Sequence, residues 1–172
     1  MILTNKKTIA RALQTTAATI IMLLTLATTA CENGTDCDIN NISYNRIKLY
    51  GSDESLSLTD YSYPDTLTVK LVINGEDSII VNKVVDASEL QLPVSYTSEC
   101  DTLVLEYSGN ISDTLFIEHK NIPFFISTDC GMAMYHHLTG VRHTNNLIDS
   151  AAINEPEINF DWHENIKLYI VE

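Results

Sequence analysis

The sequence predicts an all-β domain: an antiparallel β-sandwich, immunoglobulin-like or related, with a barrel as the alternative. Three observations carry the expectation. Beyond Arg46 apolar residues recur with period two, turn signals interrupt these runs at short spacing, and no stretch past the N-terminal leader has a helical period. Strict alternation places one row of side chains in a core and the other in water.

The clearest strands come in order. Leu67, Val69, Leu71 and Ile73 alternate with Thr68 and Lys70. Leu103, Leu105 and Tyr107 alternate around Glu106, Leu115 and Ile117 lie beside Glu118, and Ile166, Leu168 and Ile170 flank Lys167. Asn74-Gly75-Glu76-Asp77 has the composition of a tight hairpin turn. Pro64-Asp65, Ser108-Gly109-Asn110 and Thr139-Gly140 mark further breaks. Eight or nine strands are expected, the last, over residues 165–171, paired inside a sheet.

The N-terminus obeys other rules. Lys6, Lys7 and Arg11 precede an apolar stretch from Ala12 to Ala27, no acid occurs before Glu32, and small residues lead to Cys31. A positive start, a short apolar middle and a small-residue exit make a secretory signal. An uncleaved anchor is the competing reading, which Gln14 and the seven threonines from Thr8 to Thr29 disfavour. Thr29-Ala30-Cys31 is similar to the end of a lipobox, although Thr28 stands where leucine is usual. The expected organisation is a signal peptide over 1–30, a tether over 31–45 and a β-sandwich over 46–172, with Cys31 acylated. Each buried methylene contributes about 0.8 kcal/mol, so two or more acyl chains hold a protein firmly on a bilayer.

The chain carries 10 Lys and Arg against 23 Asp and Glu. Loss of the leader's three bases leaves seven bases, a formal charge of −16. Such a surface lacks the basic footprint of nucleic-acid binding and disfavours lying flat on anionic headgroups.

Export places Cys31, Cys37, Cys100 and Cys130 in an oxidising compartment. With Cys31 acylated, one bridge and one thiol remain. Cys37 with Cys130 is the expected pair, joining the tether to the turn-like Thr128-Asp129-Cys130-Gly131; Cys100 competes for either partner. The loop so closed would add roughly 4–5 kcal/mol in the chain-entropy view.

Asp-Thr-Leu occurs at 65–67, 101–103 and 113–115, with looser forms at Asp77-Ser78-Ile79 and Asp149-Ser150-Ala151. One reading is strand entry, in which Asp closes a turn and β-branched Thr starts the strand. The other is an O-glycosylation signal, which these tripeptides resemble in its Bacteroides-type form, with Thr66, Ser78, Thr102, Thr114 and Ser150 as acceptors.

Signatures of catalysis are missing: the sequence has no Gly-x-Ser-x-Gly, His-Glu-x-x-His, phosphate loop or dinucleotide fingerprint. No catalytic residue, metal site or cofactor is expected. Adjacent His136 and His137 should point to opposite faces of a strand, whereas His137 and His143 would meet only across a turn at Gly140. Asp53-Glu54 and Glu155-x-Glu157 are acidic pairs without a calcium-loop pattern. Tyr44, Tyr50, Tyr61, Tyr63, Phe124, Phe125, Phe160 and Trp162 suit either a core or a sugar platform.

An ordered set of cues runs from Cys31 to the C-terminus: Asp36-Cys37, Leu90-x-Leu92-Pro93, Phe125-Ile126-Ser127-x-x-Cys130-Gly131, Thr144-Asn145-Asn146 with Ile148, and Asn165-Ile166-Lys167-Leu168-Tyr169. Together they resemble a family of small Bacteroidetes envelope lipoproteins of unknown function. The resemblance implies an envelope lipoprotein and favours the Cys37–Cys130 pair; Cys100 lies outside the pattern. The outer membrane is the expected location, with the domain facing the periplasm or exposed at the surface. The function expected is therefore a non-enzymatic, lipid-anchored module that meets the membrane through Cys31. Its partner would be an envelope protein, with glycan as the alternative ligand and a hydrolase as the least favoured reading.

Overall fold

A computed structural model describes residues 42–51 and 61–171. The leader, Cys31, Cys37 and the Asp53-Glu54 pair lie outside the described residues. Ten strands follow in order: β1 Tyr44–Gly51, β2 Leu67–Ile73, β3 Glu76–Val84, β4 Glu89–Pro93, β5 Cys100–Tyr107, β6 Ser112–Ser127, β7 Gly131–His143, β8 Ile148–Ile153, β9 Glu157–Ile158 and β10 Ile166–Ile170. They build a four-stranded sheet in the order β4-β1-β10-β8 and a six-stranded sheet in the order β3-β2-β5-β6-β7-β9. The sheets stay open, so the architecture is the sandwich and not the barrel. β1 begins at Tyr44, two residues inside the segment read as tether.

Alternation explains the layers. From the small sheet Ile47, Leu49, Leu90, Leu92, Ile166, Leu168 and Ile170 enter one core. The large sheet answers with Leu67, Val69, Leu103, Leu105, Leu115 and Ile117. The last strand does pair internally: β10 lies between β8, antiparallel, and β1, parallel. The first and last described strands thus sit side by side in mid-sheet.

The hairpin turn forms at Asn74 and Gly75, with φ of 53° and 84°. Positive φ at both central residues is what a two-residue loop needs to match strand twist. Ser108–Asn110 turns as a short 3-10 segment. Thr139-Gly140, by contrast, is no break, because β7 runs through it. Glu118 faces Gly140 and His119 faces Leu138, leaving Thr139 as the extra residue of a β-bulge. A bulge and a turn share the same sequence signal, and here the pairing with β6 continues on both sides.

Asp113 fastens the β7–β8 connection to the start of β6. One carboxylate oxygen accepts the Thr144 hydroxyl at 2.6 Å and the Asn146 amide at 2.8 Å. The other accepts the Leu147 and Ile148 amides at 2.7 and 3.0 Å. Burial pushes this carboxyl's pKa up, but the four donors outweigh burial and hold it below the ordinary carboxylate value. A carboxyl lowered by folding stabilises the fold above its unfolded pKa and loses that contribution as pH falls through the folded value. Asp113→Asn turns an NH₂ toward donors in a buried site and is expected to cost about 2–4 kcal/mol. Thr144→Val, which removes one donor, should cost about 1 kcal/mol. Urea unfolding at neutral pH checks both, and the gap between wild type and Asp113→Asn should narrow once the medium is acidic enough to protonate Asp113.

Candidate functional site

The pairing of β5 with β6 ends at Cys100 and Glu118, whereas β6 and β7 remain paired out to Ser127 and Gly131. The two strands therefore project beyond β5 as a ribbon. β9 supports its outer flank only at His136 and His137.

Beside the ribbon's inner face is a buried polar cluster, whose Asp101 also lines a cavity of about 350 Å³ with Ser95, Ser98 and Cys100. Asp101, His119 and His136 are all buried. The Asp101 carboxylate accepts the Ser95 amide at 3.1 Å and stands 3.3 Å from His119 Nε2, without the alignment of a hydrogen bond. His119 meets the edge of His136 at 5.3 Å between centroids, and Tyr96 stacks on His136 at 5.7 Å. His136 Nδ1 lies 2.7 Å from Asn121 Oδ1, an acceptor, so this nitrogen donates and the ring is a neutral Nδ1–H tautomer. Burial first, and then the neighbouring His119, push the His136 pKa down to about 4, with Asp101 opposing.

His137 points the other way, as adjacent strand residues must, and its Nδ1 contacts Glu157 at 2.6 Å. Glu157 is thereby committed to His137. His143 lies at the far end of the same continuous strand, so His137 and His143 do not meet across a turn. His143 Nδ1 instead contacts the Thr144 carbonyl at 3.0 Å.

On the outer face aromatic rings assemble. Phe124 stacks on Tyr135 at 4.6 Å, and Tyr135 meets Phe160 edge-on at 5.1 Å. Beyond Phe160 the connection to β10 forms a cleft of about 220 Å³ lined by Tyr44, Arg46, Gln91, Asn159, Asp161 and Trp162, among others. Trp162 is 75% exposed, and the Arg46 guanidinium carbon lies 3.5 Å from its ring centroid. Arg46 also reaches Glu89 at 3.0 Å. The wall is built locally: Asn159 Oδ1 accepts the Asp161 amide at 2.7 Å, closing an Asx-type turn. Buried Asn165 clamps the base by accepting the Arg46 amide and donating to the carbonyls of Glu155 and Glu157. A cation-backed ring beside amide and carboxylate groups can bind a ligand that has an apolar face and polar edges.

Of the aromatic residues singled out from sequence, Tyr44, Phe160 and Trp162 meet at the cleft and Phe124 adjoins it. Tyr50 pairs with Tyr169, and Tyr63 with Tyr107, elsewhere. Arg46, Asn159, Asp161, Tyr96 and Tyr135 were not foreseen, because no local pattern marks them. The five expected acceptors are scattered: Ser78 and Ser150 are exposed, while Thr66, Thr102 and Thr114 are half-buried. Among the described residues the free cysteine is Cys100, not Cys130.

His136 stays neutral in the fold to about pH 4, whereas in the unfolded chain it titrates near 6.5. The unfolded state therefore binds the extra proton between these values, and stability falls as pH drops through that window, by at most about 3 kcal/mol. His136→Gln should flatten this part of the stability–pH curve, measured by urea midpoints, while leaving the more acidic limb due to Asp113.

No curated protein and no solved structure matches the chain. A model of a family of unknown function, DUF6452, matches residues 66–170. That span is more than half of the 172 residues and covers nine of the ten strands, so the chain belongs to this family of unknown function.

Proposed function

We propose that this protein is a bacterial envelope lipoprotein, anchored to the outer membrane through Cys31, whose β-sandwich binds a partner and does not catalyse a reaction. The observation that carries the binding role is the Arg46–Trp162 cleft, where recognition groups converge on an exposed ring. Asp101, His119 and His136 are buried, and His119 and His136 pack on each other, which supports a structural duty for them. The address rests on the leader and on Thr29-Ala30-Cys31. The bridge between Cys37 and Cys130 belongs to the same proposal and is supported by the finding that Cys100 is the free cysteine of the described residues.

A second reading narrows the ligand to a glycan. Trp162 offers a flat platform, and Gln91, Asn159 and Asp161 offer donors and acceptors at its edge, the combination by which sugar rings are held. Modification by O-linked sugar is a separate proposal, for which exposed Ser78 and Ser150 are the most accessible acceptors.

Intact mass of the protein extracted from its own membrane, before and after reduction and thiol labelling, tests the address. The expected species begins at acylated Cys31, with one bridge and one labelled thiol; a chain beginning at Met1 without acyl mass would overturn the anchor. Cys37→Ser and Cys130→Ser should destabilise equally, by about 2–5 kcal/mol, with Cys100→Ser near neutral. Binding to purified envelope polysaccharides and envelope proteins, read by calorimetry, tests the cleft. Trp162→Ala is expected to weaken binding at least tenfold, about 1.4 kcal/mol, without changing the unfolding midpoint. Undiminished binding by that variant would remove the cleft from the proposal.

A further inference from the structure

The end of the β6–β7 ribbon is apolar on both faces. Phe125 faces Met132 on one side, at 58% and 56% exposure. Ile122 and Phe124 lie on the other side, also exposed. A strand pair that packs on a partner shows it one face and keeps the other polar. Apolar side chains on both faces call for surroundings that envelop the ribbon end. Charge supports the same view: from Asn121 to Tyr135 the only charged side chain is Asp129, in a domain otherwise strongly acidic.

The place where the chain enters the fold gives the direction. Ser43, just before β1, donates its hydroxyl to the Met134 carbonyl at 2.7 Å, two residues along β7 from Met132. Cys31 lies twelve residues before Ser43, a reach of at most about 40 Å when fully extended. Met134 pairs with Pro123, which is four residues from Ser127 and eleven from Ser112, so the chain enters the described fold nearer the apolar tip than the opposite end of β6.

We infer that the ribbon tip, through Phe124, Phe125 and Met132, docks into the interface of the bilayer that holds the acyl chains, and so orients the sandwich with its Ser112 end away from the membrane. The inference rests on the acylation of Cys31 proposed above. Aromatic rings favour the headgroup boundary, and apolar side chains that insert there add a second attachment to the acyl chains. An uncharged tip enters that region without the cost that the acidic body would meet. Docking also fixes an orientation, which the acyl chains alone do not.

The test uses the full acylated protein in phosphatidylcholine vesicles bearing doxyl-labelled acyl chains. Trp162 is the sole tryptophan, so Trp162→Phe gives a silent background. Phe125→Trp reports from the tip and Ile111→Trp from the opposite end; both native residues are exposed, and circular dichroism checks that the variants fold. Intact mass first establishes whether Cys31 is acylated. Docking predicts that the tip tryptophan shifts to shorter wavelength and loses most of its emission to the doxyl group, while the tryptophan at 111 keeps its emission. An acylated protein in which neither reporter, or both, are quenched would sink the docking and leave the anchor standing. A tip tryptophan shielded from aqueous iodide yet untouched by doxyl lipid would give the tip to a protein partner or a second copy. A chain without acyl mass would remove the anchor and this inference together.

Discussion

The long pairing of β6 with β7 is the constraint from which the rest of this molecule follows. β6 has 16 residues and β7 has 13, whereas β5, the neighbour of β6, has eight. Sandwich packing accounts for the part that faces the core. The remainder has lost one flanking strand and, among the described residues, pairs beyond itself only with the two residues of β9. An isolated two-stranded ribbon is marginal in water. This one is reinforced by side chains: Tyr96, Asn121, His119 and His136 below, and Phe124, Tyr135 and Phe160 above. The polar cluster and the aromatic row therefore occupy opposite faces of one structural problem, the support of a ribbon that outruns its sheet.

Burying histidine in such a place is costly unless the ring stays neutral and its N–H finds an acceptor. His136 meets both conditions through Asn121 and its lowered pKa. The cluster is buried, while Asp101 at its margin also lines a cavity of about 350 Å³ with Ser95, Ser98 and Cys100. The Arg46–Trp162 cleft is the reverse case. Its groups are open and their partners are local, and the carboxylate of Glu89 holds Arg46 against the ring from outside. Trp162 thus presents a braced surface, with less rotamer freedom to lose on binding.

How far the sequence disclosed this is best judged residue by residue. The sandwich core was legible because period two survives wherever one face is buried and the other wet, as in β2, β5 and β10. The Asn74-Gly75 hairpin was legible because its backbone demands those residues. Thr139-Gly140 misled because a bulge and a turn draw on the same residue types, and only the partner strand separates them. Asp-Thr-Leu proved to be one tripeptide in three environments. Asp113 is caged by four donors, Asp101 adjoins His119 inside the ribbon, and exposed Asp65 accepts the Thr66 amide. No local rule could rank them. The cleft was illegible for a topological reason: β1 and the β9–β10 connection are more than a hundred residues apart and meet only because β1 and β10 pair in parallel.

The ribbon also shows where periodicity stops being informative. Through Ile117 burial alternates along β6, since one face sees the core. From Ile122 to Ile126 apolar residues run together as Ile-Pro-Phe-Phe-Ile. In a strand buried between two layers such a run is ordinary, because both faces are covered. Here the strand is exposed, and the covering has to come from outside the described residues. Pro123 marks the same change, since proline donates no ladder hydrogen bond and suits an edge. A run of this kind, at the free end of a ribbon and beside the point where the chain enters the fold, separates the domain into two chemical parts. One is an acidic body, kept off other acidic surfaces by its own charge. The other is a neutral apolar tip, free of that repulsion. On the proposed lipoprotein reading the two parts need different surroundings, and the boundary between water and lipid supplies both at once.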